Sequence, residues 1–254
     1  MAITIKNERE VELMRQAGHI VALAHARLQP AIVSGVTTKE LDDIVREVIE
    51  ENGATPTFLG HLGFTGRICA SINEEIVHGI PGKRRLRDGD IISIDIGATF
   101  GGYIGDSAWT YPLGIIDAES QRLLDVTERS LYLGIEQAVA GNRLGDIGQA
   151  IESYVTEQRF GMVREYGGHG VGRQMWEEPH VPNHGQAGTG VLLREGMTIA
   201  IEPMVNIGRD ETQQLDDGWT VVTRDRSRSA HFEHTVLIKN GLPEIFTKRV
   251  AVVV

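Results

Sequence analysis

Apolar residues recur every three to four positions from residue 8 to 29 (Val11, Met14, Ala17, Val21, Ala24, Leu28), which is the spacing of one helix face, and Pro30 predicts its end. A second helix is predicted to start at an N-cap of Thr37 or Thr38. Its apolar face is Leu41, Ile44, Val45, Val48 and Ile49, and Gly53 is its stop signal. Residues 56 to 83 have no sustained period and read as loops around one short strand, RICASIN. The stretch from Leu86 to Asp106, LRDGDIISIDIGATFGGYIGD, then predicts two strands joined by a Gly101-Gly102 turn. Beyond it the pattern predicts helices at about 118 to 140 and 144 to 158, a glycine-rich loop, and further strands.

That order of elements looks like a restart. A shift of 107 residues lays LRDGDIISID (86 to 95) on LREGMTIAIE (193 to 202), so that Asp95 falls on Glu202. A shift of 106 lays Leu41, Ile44, Val45, Val48 and Ile49 on Ile147, Ala150, Ile151, Tyr154 and Val155. Two matches in the same order at nearly one offset point to an internal repeat. The expectation is one α+β domain over residues 1 to 254, with halves of about 1 to 117 and 118 to 254. Helices would cover a curved antiparallel sheet, and a pseudo-twofold axis would bring Asp95 and Glu202 face to face.

The hairpin carries an aspartate in each of its strands, Asp95 and Asp106, within apolar or glycine-rich runs. An ionised carboxylate buried without compensation costs several kcal/mol, so a cation is expected between them. Strand alternation sets Asp95 opposite Ile92, Ile94 and Ile96, and sets Glu202 opposite Ile199 and Ile201. In HFEHTVLI, Glu233 is expected on a strand, sharing a face with His231 and Thr235. His169 sits in YGGHGVG, where glycines let the backbone approach a ligand. One histidine and four carboxylates make an oxygen-rich set suited to a pair of Mn, Fe or Co ions and poorly suited to structural zinc. Such a pair produces a nucleophile from water at neutral pH.

Other motifs point nowhere. YGGHGVG is not GxGxxG, and HExxH, GxSxG and the phosphate-binding GxxxxGK[ST] are absent. The lone cysteine, Cys69, excludes an internal disulfide and reads as a small buried side chain. The 254 residues carry a formal net charge of −10, which repels polyanions, and the run Lys83, Arg84, Arg85, Arg87 reads as a solvated loop, so no nucleic-acid binding is expected. No apolar run approaches a membrane span and the N-terminus lacks a secretory layout, so a cytoplasmic protein is expected.

The ordered set Asp95, Asp106, His169, Glu202, Glu233 comes with NEEIVHGIP (73 to 81), GHGVG (168 to 172), EEPHVPNH (177 to 184), GMTIAIEPM (196 to 204) and FEHT (232 to 235). Together these resemble the methionine aminopeptidases, in the short bacterial type I form. The resemblance implies a pita-bread fold and two divalent ions, of unknown identity, on those five residues. It also implies removal of the initiator methionine from nascent chains with a small second residue, by a monomer in transient ribosome contact. Glu202 would carry the proton from the attacking water, and His78 would hydrogen-bond the scissile amide and help the amine leave. The methionine pocket would map to His61, Phe64, Cys69 and Trp219, with Phe58 and Met175 close by.

The chain departs from that family at three places. Trp176 stands where a histidine usually binds the substrate carbonyl, Ile104 where a histidine is frequent, and His61 where tyrosine is usual. Trp offers one N–H donor and no charge, so weakened or redirected peptidase activity is expected, unless His180 or His184 supplies the contact. Two alternatives stand beside this reading. One is a proline-specific aminopeptidase or prolidase of the same fold; the other is a non-catalytic peptide-binding protein on the same scaffold.

Overall fold

The computed structural model describes residues 2–250. Helix α1 (Glu8–Leu28) starts at Asn7, whose side chain accepts from Glu10 N–H while the Glu10 carboxylate accepts from Asn7 N–H. Helix α2 (Thr38–Glu51) repeats that reciprocal cap with Thr37 and Glu40. Both starts are therefore fixed by short polar side chains next to an apolar face, at Thr37 as the sequence predicts and at Asn7 as the structure adds.

Strands β1 (Thr55–Pro56), β2 (Ile68–Ile72) and β3 (Glu75–Val77) follow. The single strand expected over RICASIN is thus followed by a second short one, because Asn73 turns the chain at a φ of +57°. Strands β4 (Ile91–Phe100) and β5 (Tyr103–Pro112) form the expected hairpin, with Gly101 and Gly102 both at positive φ in its turn. Helix α3 (Ala118–Glu136) stops a turn short of expectation, and α4 (Leu144–Glu157) has the length of α2 at an offset of 106 residues.

The remaining strands are β6 (Gly161–Met162), β7 (Gly168–Gly170), β8 (Glu177–Val181), β9 (Thr198–Ile201), β10 (Met204–Asn206), β11 (Thr212–Gln214), β12 (Val221–Thr223), β13 (Ser229–His231), β14 (His234–Leu237) and β15 (Glu244–Ile245). All pairings between them are antiparallel, in four groups. Of these, β1, β4, β2 and β5 make one sheet, and β15, β14, β9, β7 and β8 make another. Ile92, Ile94 and Ile96 of β4 and Ile199 and Ile201 of β9 are buried in the same large core, together with the apolar faces of all four helices.

Close approach of α1 to the hairpin depends on two glycines. A Cβ on Gly105 would stand 2.5 Å from the Gly18 nitrogen, and one on Gly18 would meet the Phe246 backbone at 2.7 Å, so a side chain at Gly105 pushes the helix off the hairpin and one at Gly18 pushes it off the chain around Phe246. This packing fixes the strand that carries Asp106 in its next residue. The two main sheets are stitched together by hydroxyls: Thr235 Oγ1 accepts from Asp106 N–H at 3.0 Å and donates to Asp106 C=O at 2.8 Å, and Ser107 Oγ donates to Glu233 C=O at 2.7 Å. Among the described residues, no helix is long and apolar enough to cross a membrane.

Candidate metal centre and active site

In the hairpin, Asp95 pairs with Ala108 and Asp106 with Gly97. Directly opposed residues share a face, and Asp106 lies two residues from Ala108, so both carboxylates rise from one face. Cys69 of β2 stands opposite Asp95 on its other side. A Cβ on Gly97 would meet the Phe58 ring at 2.7 Å, so this glycine makes room for Phe58 beside the carboxylates.

The second pair of carboxylates sits at breaks rather than within strands. Strand β9 ends at Ile201, and the HFEHTVLI segment splits into β13 and β14 at Phe232 and Glu233. Both expectations of in-strand placement are therefore corrected. Ile201 pairs with His234 and Met204 with His231, so one antiparallel register continues across the gap and sets Glu202 opposite Glu233. Pro203 has no N–H to continue the ladder, and the chain changes sheets at this point. Two like charges directly opposed destabilise a strand pair unless something positive lies between them.

His169, on β7, is pressed between neighbours by its glycines: a Cβ on Gly168 would lie 2.1 Å from Ala200 O, and one on Gly170 2.2 Å from Glu178 O. Its Nδ1 lies 2.9 Å from the Gly170 carbonyl, which can only accept. Nδ1 therefore carries the proton, and the lone pair of Nε2 faces Asp106 Oδ2 at 3.7 Å and Glu202 Oε1 at 3.6 Å. Asp106, His169 and Glu233 place ligand atoms within 4.8 Å of one another.

Without a cation this arrangement is electrostatically unfavourable. Burial, reinforced by the Asp106 charge, pushes the Asp95 carboxyl well above its ordinary range. Burial and the Glu202 charge raise Asp106 to about 8, and burial with the charges of Asp106, Glu202 and Asp95 raises Glu233 well above normal. Asp95 Oδ1, Asp106 Oδ1 and Glu233 Oε1 are buried with no hydrogen-bond partner among the described residues. Crowded, unpartnered carboxylate oxygens with one free imidazole nitrogen fit divalent metal ions of the hard to intermediate kind.

One cavity of about 500 Å³ opens onto these groups. It is lined by all five candidate ligands, by His78, and by His61, Phe64, Cys69, Trp176 and Trp219, with Phe58 and Met175. The structure therefore brings together every site residue expected from the sequence. His78 adopts a φ of +61°, an uncommon value for a residue with a Cβ, and burial lowers its pKa while the Glu202 charge opposes that shift. The Cys69 thiol is pushed well above its usual value, first by burial and then by the Asp95 charge, which suits a pocket wall and not a nucleophile. Trp176 is 43% exposed at the rim, edge-on to His61 with ring centroids 4.8 Å apart. His180 also lines the cavity, whereas His184 does not.

Among the residues that escape the sequence reading are Tyr166 and Met204, which line the cavity, and His231 beside it. Tyr166 lies edge-on to His78 at 6.2 Å. Met204 lies two residues past Glu202, and His231 Nε2 lies 3.4 Å from Glu202 Oε2. For Met204 and His231 the signal was the two-residue period around Glu202 and Glu233, visible in the sequence but without chemical meaning until the cross-strand register is known.

The sequence model of metallopeptidase family M24 matches residues 12–240. The chain belongs to this family. Membership of a metallopeptidase family implies divalent metal, in keeping with the ligand cluster described above. Over 246 residues the chain is 52% identical to methionine aminopeptidase 1 of Bacillus subtilis, a match covering 97% of this chain and 99% of that protein. Its structure is similar to methionine aminopeptidase from Thermotoga maritima, with a TM-score of 0.96 and 44% identity, over 98% of this chain and all (100%) of that one. The corresponding enzyme from Rickettsia prowazekii superposes with a TM-score of 0.95 at 40% identity, over 97% and 100% of the two chains. The fold is the pita-bread α+β fold of these M24 enzymes.

Proposed function

We propose that this chain is a methionine aminopeptidase that removes the initiator methionine from nascent proteins whose second residue is small. One observation carries the reading: the metal-type donor set sits at the end of an apolar pocket of aromatic, thiol and thioether walls, all within one cavity. Such walls suit an unbranched, polarisable methionine side chain, which gains from sulfur–aromatic contact. Asp95, Asp106, His169, Glu202 and Glu233 would hold two ions of the Mn, Fe or Co type. When bound, these supply Lewis acidity at the scissile carbonyl and lower the pKa of the attacking water.

The chain's own residues do the rest. Phe58, Phe64, Met175 and Trp219 enclose the methionine side chain and exclude water around the reacting bond. Glu202, with its side chain 13% exposed at the cavity wall, takes the proton from the attacking water and passes it toward the leaving amine. Burial lowers the His78 pKa and so favours its neutral ring, which offers one N–H to the scissile amide. Trp176, at the rim, offers the substrate carbonyl a single indole N–H, so the rate falls below that of a site with an imidazole there. The enzyme would act in the cytoplasm as a monomer in transient contact with the ribosome, and the chain would be a single duplicated domain. The deciding assay compares Met-Ala-Ser with Gly-Pro peptides. Release of methionine from the first supports the reading, whereas cleavage of only the second moves the chain to the proline-specific enzymes.

A further inference from the structure

His231 has no part in the mechanism above, yet its surroundings are built. It is 2% exposed, and its backbone is held in both directions by Thr110 Oγ1, which accepts from His231 N–H at 2.9 Å and donates to His231 C=O at 2.9 Å. Thr110 is itself held against Ser93 Oγ at 2.8 Å. The register that sets Glu202 opposite Glu233 sets His231 opposite Met204, which makes His231 the diagonal neighbour of Glu202 on the same face. Its Nε2 is buried with no hydrogen-bond partner among the described residues and lies 3.4 Å from Glu202 Oε2. The other oxygen of the same carboxylate, Oε1, lies 3.6 Å from His169 Nε2.

Glu202 is therefore bracketed by two imidazoles, one on each oxygen, and only one of these imidazoles belongs to the ligand set. We propose that His231 is a positioning residue for Glu202: its Nε2–H donates to Oε2 and thereby turns Oε1 toward the ion held with His169. This inference rests on the reading of Glu202 as a metal ligand. A carboxylate free to rotate about its last torsion would divide its time between orientations, and an outer donor that selects one of them raises ligand competence without touching the ion. A separation of 3.4 Å suits a hydrogen bond that closes when the site is loaded. The role needs an N–H at that reach and no charge, so a glutamine amide can fill it, whereas leucine of similar size cannot.

The test uses metal-free full-length protein titrated with Mn²⁺ by calorimetry, together with the visible spectrum of the Co²⁺ form and kcat and KM on Met-Ala-Ser. His231→Leu is expected to weaken Mn²⁺ binding by about 10- to 100-fold, shift the Co²⁺ bands, and lower kcat with little change in KM. His231→Gln is expected to stay within about threefold of the parent in Kd and to keep its spectrum. If His231→Leu does not fold, as judged by circular dichroism, His231→Asn replaces it, since the shorter amide cannot reach Oε2 and the same losses are expected. Parent-like Mn²⁺ binding by the Leu or Asn variant overturns the inference. Equal loss in the Gln and Leu variants overturns it too, because His231 would then be a ligand or a space-filler. Glu202→Gln separates the levels: if it binds Mn²⁺ as the parent does, the ligand reading falls and takes this inference with it. If it binds poorly while His231→Leu binds normally, only the inference about His231 falls.

Discussion

Replacing Asp106 with asparagine should stabilise the metal-free protein and abolish its stabilisation by metal. Asp106 is fully buried, and its carboxyl titrates at about 8 in the folded chain against 3.8 ordinarily, first because of burial and then because of the Glu202 charge. A carboxyl whose folded pKa is raised holds its proton more tightly in the native state than in the unfolded one. Its contribution is then fully favourable below the unfolded value and is lost as pH rises through the folded one. At 1.36 kcal/mol per pH interval, the penalty relative to acid conditions is about 2 kcal/mol at pH 5 and about 4 kcal/mol at pH 7. Asparagine carries no such penalty. In EDTA the melting temperature of Asp106→Asn should therefore exceed that of the parent by a few degrees at pH 5 and by roughly 10 °C at pH 7. Added Mn²⁺ should raise the parent's melting temperature and leave the variant's unchanged. Differential scanning calorimetry at both pH values measures this directly. A metal-free variant less stable than the parent, or a difference that does not grow with pH, would show that the carboxylates are satisfied without a cation and refute the reasoning.

Two further outcomes follow from the geometry. Trp176→His should raise kcat/KM on Met-Ala-Ser at least tenfold, because a missing donor to the developing oxyanion typically costs roughly 10² to 10³ in rate; an unchanged value shows that the indole or His180 already fills the role. Gly105→Ala should lower the melting temperature, since the added Cβ meets the α1 backbone at 2.5 Å and overpacking of this kind costs about 1 to 3 kcal/mol; a parent-like melting curve shows that the helix can yield.

The helices and the hairpin could be read from the sequence because their signals are local. The apolar residues of each helix recur at helical spacing, Thr37 stands as an N-cap ahead of its apolar face, and Gly101-Gly102 forces a turn whatever lies around it. The five candidate ligands could be read because each interrupts an apolar or glycine-rich run. The breaks at Glu202 and Glu233 could not. Both segments alternate as uninterrupted strands do, and the ladder stops only because Pro203 lacks a donor just where the chain changes sheets. His231 was visible as a neighbour of Glu233, but its relation to Glu202 exists only through cross-strand register. Strand β3 was too short, at three residues, for alternation to show.

On the proposed function, Asp95, Asp106, His169, Glu202 and Glu233 hold divalent ions on which peptide cleavage depends. The most direct measurement is free methionine released from Met-Ala-Ser by protein stripped of metal and then titrated with Mn²⁺ or Co²⁺, with bound metal counted in the same samples. No release is expected from the stripped protein, with recovery in step with occupancy up to two ions per chain and no recovery in Asp106→Asn. Full activity after stripping, or recovery in the Asp106→Asn variant at the parent's metal concentration, would contradict it.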